Sequence, residues 1–228
     1  MRKYHAVVWD LDGTLLDTET LSSKSLQQVF DPFGQVEDWE LKKKLLGRRA
    51  PDWCVVAIKE KNLVDKITPE EMHLQWERNL SAMCPQVEKC VGALSCTEYF
   101  ANIGVPQAIA TSSTAVSVKK KRVNHEDIFS KMLHIVTGEQ VENGKPAPDI
   151  YQHAASMLGV AGGDCLAFED SLAGVKSAVA AGMTCFAVVD ERFEEDELIE
   201  FQTYAYKVVR SLDEALVIIR EECEYVCA

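Results

Sequence analysis

The chemistry starts in one short run, Val7-Val8-Trp9-Asp10-Leu11-Asp12-Gly13-Thr14. Apolar residues suited to a buried strand deliver two carboxylates, two positions apart, at the strand's carboxyl end. In an open α/β sheet that end is where ligands bind. Alternation along an extended chain points Asp10 and Asp12 the same way. Gly13 allows a sharp turn just beyond them. Two carboxylates in one cleft repel, so the site must hold a cation, a proton or both. A hard divalent ion suits such oxygen ligands, Mg²⁺ taking them at about 2.0–2.1 Å. Taken alone, the run also reads as an acidic turn or a helix cap.

Further runs of the same kind follow. Ile109-Ala110-Thr111-Ser112-Ser113 ends an apolar run in hydroxyls at the start of a helix. Backbone N–H groups there, with the Thr111 and Ser112 hydroxyls, can hold phosphate oxygens. An ordinary Ser/Thr cap is the plain alternative. Gly144-Lys145-Pro146-Ala147-Pro148-Asp149 holds a lysine in a stiff loop before a helix. Such a lysine can neutralise a phosphate and a nucleophile together. Leu166-Ala167-Phe168-Glu169-Asp170-Ser171 ends another apolar run in a carboxylate pair. Asp170 is a candidate metal ligand, and Glu169 is a second ligand or supports the ligands from outside. Capping is the alternative here too, because an Ala-rich helix over Leu172 to Ala181 starts at this point and stops at Gly182.

Strands must position these groups. The strand candidates are Tyr4 to Trp9, Pro106 to Ala110, Leu133 to Thr137, Cys165 to Phe168, Thr184 to Val189 and Tyr206 to Val209. Continuous apolar runs separated by helices are the pattern of a parallel sheet covered on both faces. Right-handed crossovers wind such a sheet into an open α/β fold. A polar helical region, about Leu21 to Val87, interrupts the series and carries three of the four tryptophans. Thr68-Pro69-Glu70-Glu71 is a helix start, with Met72, Trp76, Leu80 and Met83 on one face. The expected organisation is an α/β core over 1–16 and 88–228, with a small helical domain inserted over 17–87. The C-terminal helix, about Ser211 to Glu222, packs on the sheet.

The chain has 228 residues, 47% hydrophobic and 26% charged, which excludes intrinsic disorder. Its net charge is -12, from 24 basic and 36 acidic residues, which argues against a nucleic-acid binder. A small anionic substrate stays open, because local cations and a metal override the global charge. No apolar stretch approaches the roughly 20 residues that span a bilayer. The N-terminal apolar run stops at Asp10, too short for a signal peptide. None of the eight cysteines forms a C-x-x-C pair. Free thiols in a reducing cytoplasm are therefore expected.

In this order the four runs resemble the motifs of the haloacid dehalogenase (HAD) superfamily. The matching residues are Asp10-x-Asp12-Gly13-Thr14, Thr111, Lys145 and Glu169-Asp170. Leu15-Leu16-Asp17-Thr18-Glu19 and Phe168-Glu169-Asp170-Ser171-x-x-Gly174-Val175 look like the branch of β-phosphoglucomutase, sugar-phosphate phosphatases and pseudouridine-5'-phosphatase. The resemblance covers essentially the whole chain. It implies a Rossmann-like open parallel sheet with an inserted α-helical cap. It also implies a Mg²⁺-dependent phosphatase acting on a small phosphorylated metabolite. A cytoplasmic monomer with no nucleic-acid or membrane partner is expected. The resemblance assigns Asp10 as the nucleophile that forms an aspartyl-phosphate. Asp12 becomes the acid and base, and gives its backbone carbonyl to the metal. Asp170 and Glu169 complete the metal site, while Thr111, Ser112 and Lys145 hold the phosphoryl group. The sequence departs from the family pattern at Trp9, which stands for a phenylalanine, and at Val91, which stands before Gly92 where many relatives have proline.

A phosphosugar mutase is the nearest rival. β-Phosphoglucomutase has a cap histidine just past the Asp-Thr pair and a lysine-asparagine pair after the second motif. Here those places read Thr20-Leu21-Ser22-Ser23 and Thr114-Ala115-Val116, which favours plain hydrolysis. A dehalogenase has no use for a proton from Asp12. A phosphonate hydrolase needs a Schiff-base lysine in the cap, where Lys24 is the nearest. A catalytically silent metal-binding signalling module remains as another class.

Outside the motifs, Lys42 to Lys44 add positive charge or balance a helix end. Lys119 to Arg122 read as a solvated helix face, and Asp190 to Glu197 as an acidic surface loop or helix start. Gly47, Arg48 and Arg49 fall between helical stretches and are the expected specificity loop. Gly47 allows close backbone approach, and an arginine suits a polar or anionic leaving group. Alanine at Arg48 or Arg49 should therefore change kcat/KM unevenly across a panel of phosphorylated metabolites, with a small aryl phosphate affected least. An unchanged substrate ranking in both variants removes the loop from recognition.

Overall fold

The computed structural model describes residues 2–45 and 52–225. The chain divides into two compact units, Met1–Asp17 with Glu88–Ala228, and Thr18–Val87. It opens with β1 (Arg2–Tyr4) and β2 (Ala6–Trp9). Helices α1 (Thr18–Phe30), α2 (Trp39–Leu45), α3 (Asp52–Glu60) and α4 (Pro69–Met83) make up the inserted unit. Then come α5 (Ala93–Asn102), β3 (Gln107–Thr111), α6 (Ala115–Arg122), α7 (Glu126–Phe129) and β4 (His134–Thr137). The chain continues through α8 (Asp149–Leu158), β5 (Cys165–Glu169), α9 (Leu172–Ala180), β6 (Thr184–Val188) and α10 (Ile199–Tyr204). It ends in β7 (Lys207–Val209), α11 (Leu212–Glu222) and β8 (Cys223–Tyr225).

The main sheet has six strands in the order β4-β3-β2-β5-β6-β7. Every neighbouring pair is parallel. Counted from β2 the order is 3-2-1-4-5-6, so the sheet reverses direction between β2 and β5, where doubly wound folds bind ligands. β2, β3 and β5 are buried along their full lengths, as strands covered on both faces must be. The first apolar run is not one strand. It breaks at His5, whose backbone N–H donates to the Asp164 carbonyl at 2.8 Å. The Arg2–Tyr4 segment instead pairs in parallel with β8, in a separate two-stranded sheet.

Trp9 is fully buried and stacks on Phe168, with ring centroids 4.4 Å apart. Its indole Nε1–H donates to Gln107 Oε1 at 3.0 Å, and Gln107 Nε2 donates to the Thr97 carbonyl at 3.0 Å. The tryptophan thus brings its own acceptor into the core.

In the inserted unit, Thr68 caps α4 in a reciprocal box. Its hydroxyl accepts from Glu71 N–H at 3.2 Å, and the Glu71 carboxylate accepts from Thr68 N–H at 2.9 Å. Trp76 donates to the Ser22 carbonyl and Asn79 to the Ser25 carbonyl, which ties α4 to α1. Leu26, Val29, Phe30, Cys54, Ile58 and Met72 fill this unit's core. Lys42 is no solvated cation. It is buried, 3.1 Å from Glu19 Oε2 and donating to Ser23 Oγ at 3.0 Å. Cys54, Cys84, Cys90, Cys96, Cys165 and Cys185 are free thiols. No helix among the described residues is long and apolar enough to cross a membrane.

Trp9→Phe removes the indole donor and leaves Gln107 Oε1 buried without a partner. Such an orphan costs about 1–3 kcal/mol. Chemical denaturation should show a loss of that size, and no loss at all would mean that Gln107 re-pairs.

Candidate active site

The carboxyl ends of β2, β3 and β5 bring the motif residues together. Asp10 directly follows Trp9, and its backbone N–H donates to the Phe168 carbonyl at 2.9 Å, which locks it to the end of β5. The chain then turns. Gly13 has φ +86°, and a Cβ there would lie 2.1 Å from Asp170 Oδ2. Only glycine combines that left-handed backbone with so close an approach.

One cluster forms around Lys145. Its ammonium donates to Asp10 Oδ1 at 2.5 Å, to Glu169 Oε1 at 2.5 Å and to the Ala110 carbonyl at 3.1 Å. Glu169 is fully buried. Its Oε1 also accepts from the Tyr151 hydroxyl at 2.8 Å. Its Oε2 accepts from Ser171 N–H at 3.2 Å and from the Ser171 hydroxyl at 3.0 Å. Gly174 makes room for this carboxylate, since a Cβ there would meet Glu169 Oε1 at 1.8 Å. Burial pulls the Lys145 ammonium down, but Asp10 and Glu169 push it above its ordinary value.

A second cluster forms around Asp12. Its Oδ2 accepts from the Ser113 hydroxyl at 2.7 Å and the Thr111 hydroxyl at 3.1 Å. Its Oδ1 is ion-paired with Lys121, whose ammonium also donates to Ser113 Oγ at 2.8 Å. Burial works to raise the Asp12 carboxyl, yet Lys121 and the Ser113 and Thr111 hydroxyls hold it below the usual carboxylate value. Asp10 and Asp12 therefore stand on adjacent networks, each with its own lysine.

Thr114 caps α6 through Ser117 N–H, so Thr111 and Ser113 do not cap that helix. Ser171 caps α9 through Gly174 N–H at 3.1 Å, so Asp170 does not. The Thr14 hydroxyl donates to Asp170 Oδ1 at 3.4 Å. Ser112 is exposed, and among the described residues its hydroxyl joins neither network. Gly47, Arg48 and Arg49 lie outside the described residues.

The basic run Lys119 to Arg122 corrects its sequence reading. Lys119 and Lys120 are exposed, but Lys121 is buried at 4% exposure. The missed signal was helical phase. Val118, Lys121 and His125 are buried at spacings of three and four, so one stripe faces inward through the basic run. Ser113 and Tyr151 were missed as well, and Tyr151 carried no local motif.

Oxygens of Asp10, Glu169 and Asp170 all lie within 4.8 Å of one another. Asp10 Oδ2 is buried with no hydrogen-bond partner among the described residues. Burial pushes the Asp10 carboxyl up to about 8; Lys145 opposes the rise, while Glu169 and Asp12 add to it. A cluster of hard oxygens with an orphaned carboxylate atom fits a small divalent cation such as Mg²⁺. Asp10 and Asp170 are its clearer ligands, because protein donors already engage both Glu169 oxygens.

This makes a pH-dependent expectation. The folded Asp10 value lies above the unfolded one, so without a cation its stabilising effect is present at low pH and lost as pH rises through about 8. Cation binding needs the ionised form. Mg²⁺ should therefore raise the melting temperature more above about pH 8 than near pH 5, and Asp10→Asn should abolish the increment. The same increment at both pH values, or one that survives in Asp10→Asn, contradicts a cation held by Asp10.

Residues 7–188 match the family model for haloacid dehalogenase-like hydrolases. The chain is 33% identical over 217 residues to a probable pseudouridine-5'-phosphatase of Drosophila melanogaster, covering 93% of this chain and 91% of that one. It is 32% identical over 211 residues to (DL)-glycerol-3-phosphatase 2 of Arabidopsis thaliana, covering 90% and 86%. Among solved structures it is similar to a HAD family hydrolase from Deinococcus radiodurans with bound phosphate and sodium. The TM-score there is 0.81 and the identity 26%, with 96% of each chain covered.

Proposed function

We propose that this chain, which belongs to the haloacid dehalogenase-like hydrolase family, removes phosphate from a small phosphorylated metabolite with Mg²⁺ through an aspartyl-phosphate on Asp10. It is a phosphoric monoester hydrolase; the cation, the intermediate and the residue roles are our reading of the site. The observation that carries this reading is Asp10 itself, buried at the end of β2, with Lys145 on one oxygen and, among the described residues, no hydrogen-bond partner on the other. Relatives that act on pseudouridine phosphate and glycerol phosphate support a small polar leaving group.

The Asp10 carboxylate attacks phosphorus, and the bond from phosphorus to the ester oxygen breaks. Asp12 gives the departing alkoxide its proton. Water then attacks the aspartyl-phosphate, loses a proton to Asp12, and inorganic phosphate leaves. Splitting the hydrolysis in this way replaces one hard step by two easier ones. Lys145 and the Thr111 hydroxyl hold the phosphoryl oxygens and offset their charge. Asp10 and Asp170, with the Asp12 carbonyl, would hold Mg²⁺, which would supply positive charge against the phosphoryl group. Asp12 is held ionised at rest, as the base needs. An arriving phosphate brings like charge beside it and draws the Thr111 hydroxyl away; both changes let Asp12 take from solvent the proton that it then gives to the alkoxide.

Nothing after the second motif offers the lysine-asparagine pair of a mutase, so hydrolysis stands over isomerisation. The test is release of inorganic phosphate from a panel of phosphorylated metabolites with and without Mg²⁺. Asp10→Asn should lower turnover by at least about 10³-fold, because the amide is neither nucleophile nor good metal ligand. Unchanged turnover in well-folded Asp10→Asn overturns the mechanism.

A further inference from the structure

We propose that Lys121 is a positioning residue that holds the Asp12 carboxylate in place for proton transfer to the leaving group. The proposal rests on the phosphatase reading above and extends it to a residue outside the family motifs.

Lys121 is the third cation of a four-residue basic run on α6, yet it is buried while Lys119 and Lys120 are exposed. Burying an ammonium is costly unless it is paired and hydrogen-bonded. Here it has a specific pair of acceptors. It binds Asp12 Oδ1 and, at 2.8 Å, Ser113 Oγ. Ser113 in turn donates to Asp12 Oδ2 at 2.7 Å. The three side chains close a small ring, so each oxygen of the carboxylate is fastened from a different element. Ser113 belongs to the turn after β3, and Lys121 to α6, which Thr114 caps at its start.

The ring matters because Asp12 lies beyond the end of β2, on a chain already turning at Gly13. No ladder fixes its side chain, which would otherwise sample several rotamers. Proton transfer needs the carboxyl within hydrogen-bond reach of the ester oxygen. The third group on Asp12, the Thr111 hydroxyl at 3.1 Å, cannot serve as its permanent anchor, since the arriving phosphoryl group claims that hydroxyl. Lys121 and Ser113 are then the tether that remains. The Lys121 ammonium bonds Asp12 and Ser113, whereas Asp10 is held by Lys145, so Lys121 acts through Asp12. A misplacement of about 1 Å in such a group is worth on the order of 10²-fold in rate.

The experiment compares Lys121→Met, Lys121→Arg, Asp12→Asn and the double variant Asp12→Asn/Lys121→Met in the full chain with Mg²⁺. The substrates are an alkyl phosphate, glycerol 3-phosphate, and an aryl phosphate, p-nitrophenyl phosphate. The alkyl leaving group needs a proton and the aryl one does not. Lys121→Met should lower kcat/KM for the alkyl substrate by about 10²-fold, and by at least about tenfold less for the aryl one. The alkyl loss should fall in kcat, with KM within about threefold of the parent. Lys121→Arg should recover much of it. In the Asp12→Asn background, Lys121→Met should have no further effect on the alkyl-to-aryl ratio, because the two residues act as a unit. Equal losses for both substrates overturn the proposal, as does a raised KM with kcat preserved, which marks a phosphate ligand instead. If Lys121→Met does not fold, Ser113→Ala, which opens the same ring, carries the comparison. A parent without Mg²⁺-dependent turnover of either substrate fails the phosphatase reading itself. An active parent with equal losses fails only the role of Lys121.

Discussion

Like charge in a small volume is the constraint on which this molecule is organised. Asp10, Asp12, Glu169 and Asp170 gather at the carboxyl ends of two neighbouring strands, where Lys121 and Lys145 oppose them. An arrangement of that kind holds together only if each carboxylate has its own answer. Glu169 is answered by Lys145, Tyr151 and Ser171, and Asp12 by Lys121, Ser113 and Thr111. Among the described residues, Asp10 is answered on one oxygen only. The imbalance is concentrated on the group we propose as the nucleophile. The sheet topology creates the problem, by placing β2 beside β5, and also contains it, by supplying buried strands stiff enough to hold the groups apart.

The two networks stand apart in space. Lys145 lies between Asp10 and Glu169. Lys121 pairs with Asp12 and Ser113. The hydroxyl of Thr111 is the link between them, donating to Asp12 in this structure while lying on the strand next to Asp10. Thr114 caps α6, so neither Thr111 nor Ser113 is needed to start that helix.

Much of the fold was legible because its signals are local. An apolar run ending in Asp-x-Asp-Gly, or in Glu-Asp-Ser, states both a buried strand and the place where it stops. All six strands of the main sheet lie on runs visible in the sequence. The split at His5 was not visible, because β1 depends on a partner, β8, more than two hundred residues away. Lys121 was hidden for a different reason. In sequence it is one of four adjacent cations, and its burial follows from the phase that α6 takes once Val118 faces the core. Tyr151 was hidden by distance along the chain, eighteen residues before the carboxylate it touches. Local composition reports which groups end a strand, whereas the groups that hold them in place are set by how helices pack.

Ser171 ties two structures together. The same hydroxyl accepts from the Gly174 N–H that opens α9 and donates to Glu169 Oε2. The first turn of that helix and the orientation of Glu169 are therefore one cooperative unit. Fraying of the turn releases the carboxylate that steadies Lys145, and with it the charge balance around Asp10. Local unfolding at this helix end and release of the Glu169 carboxylate are thereby coupled, so hydrogen exchange at the Gly174 amide reads out how firmly Glu169 is held beside Lys145.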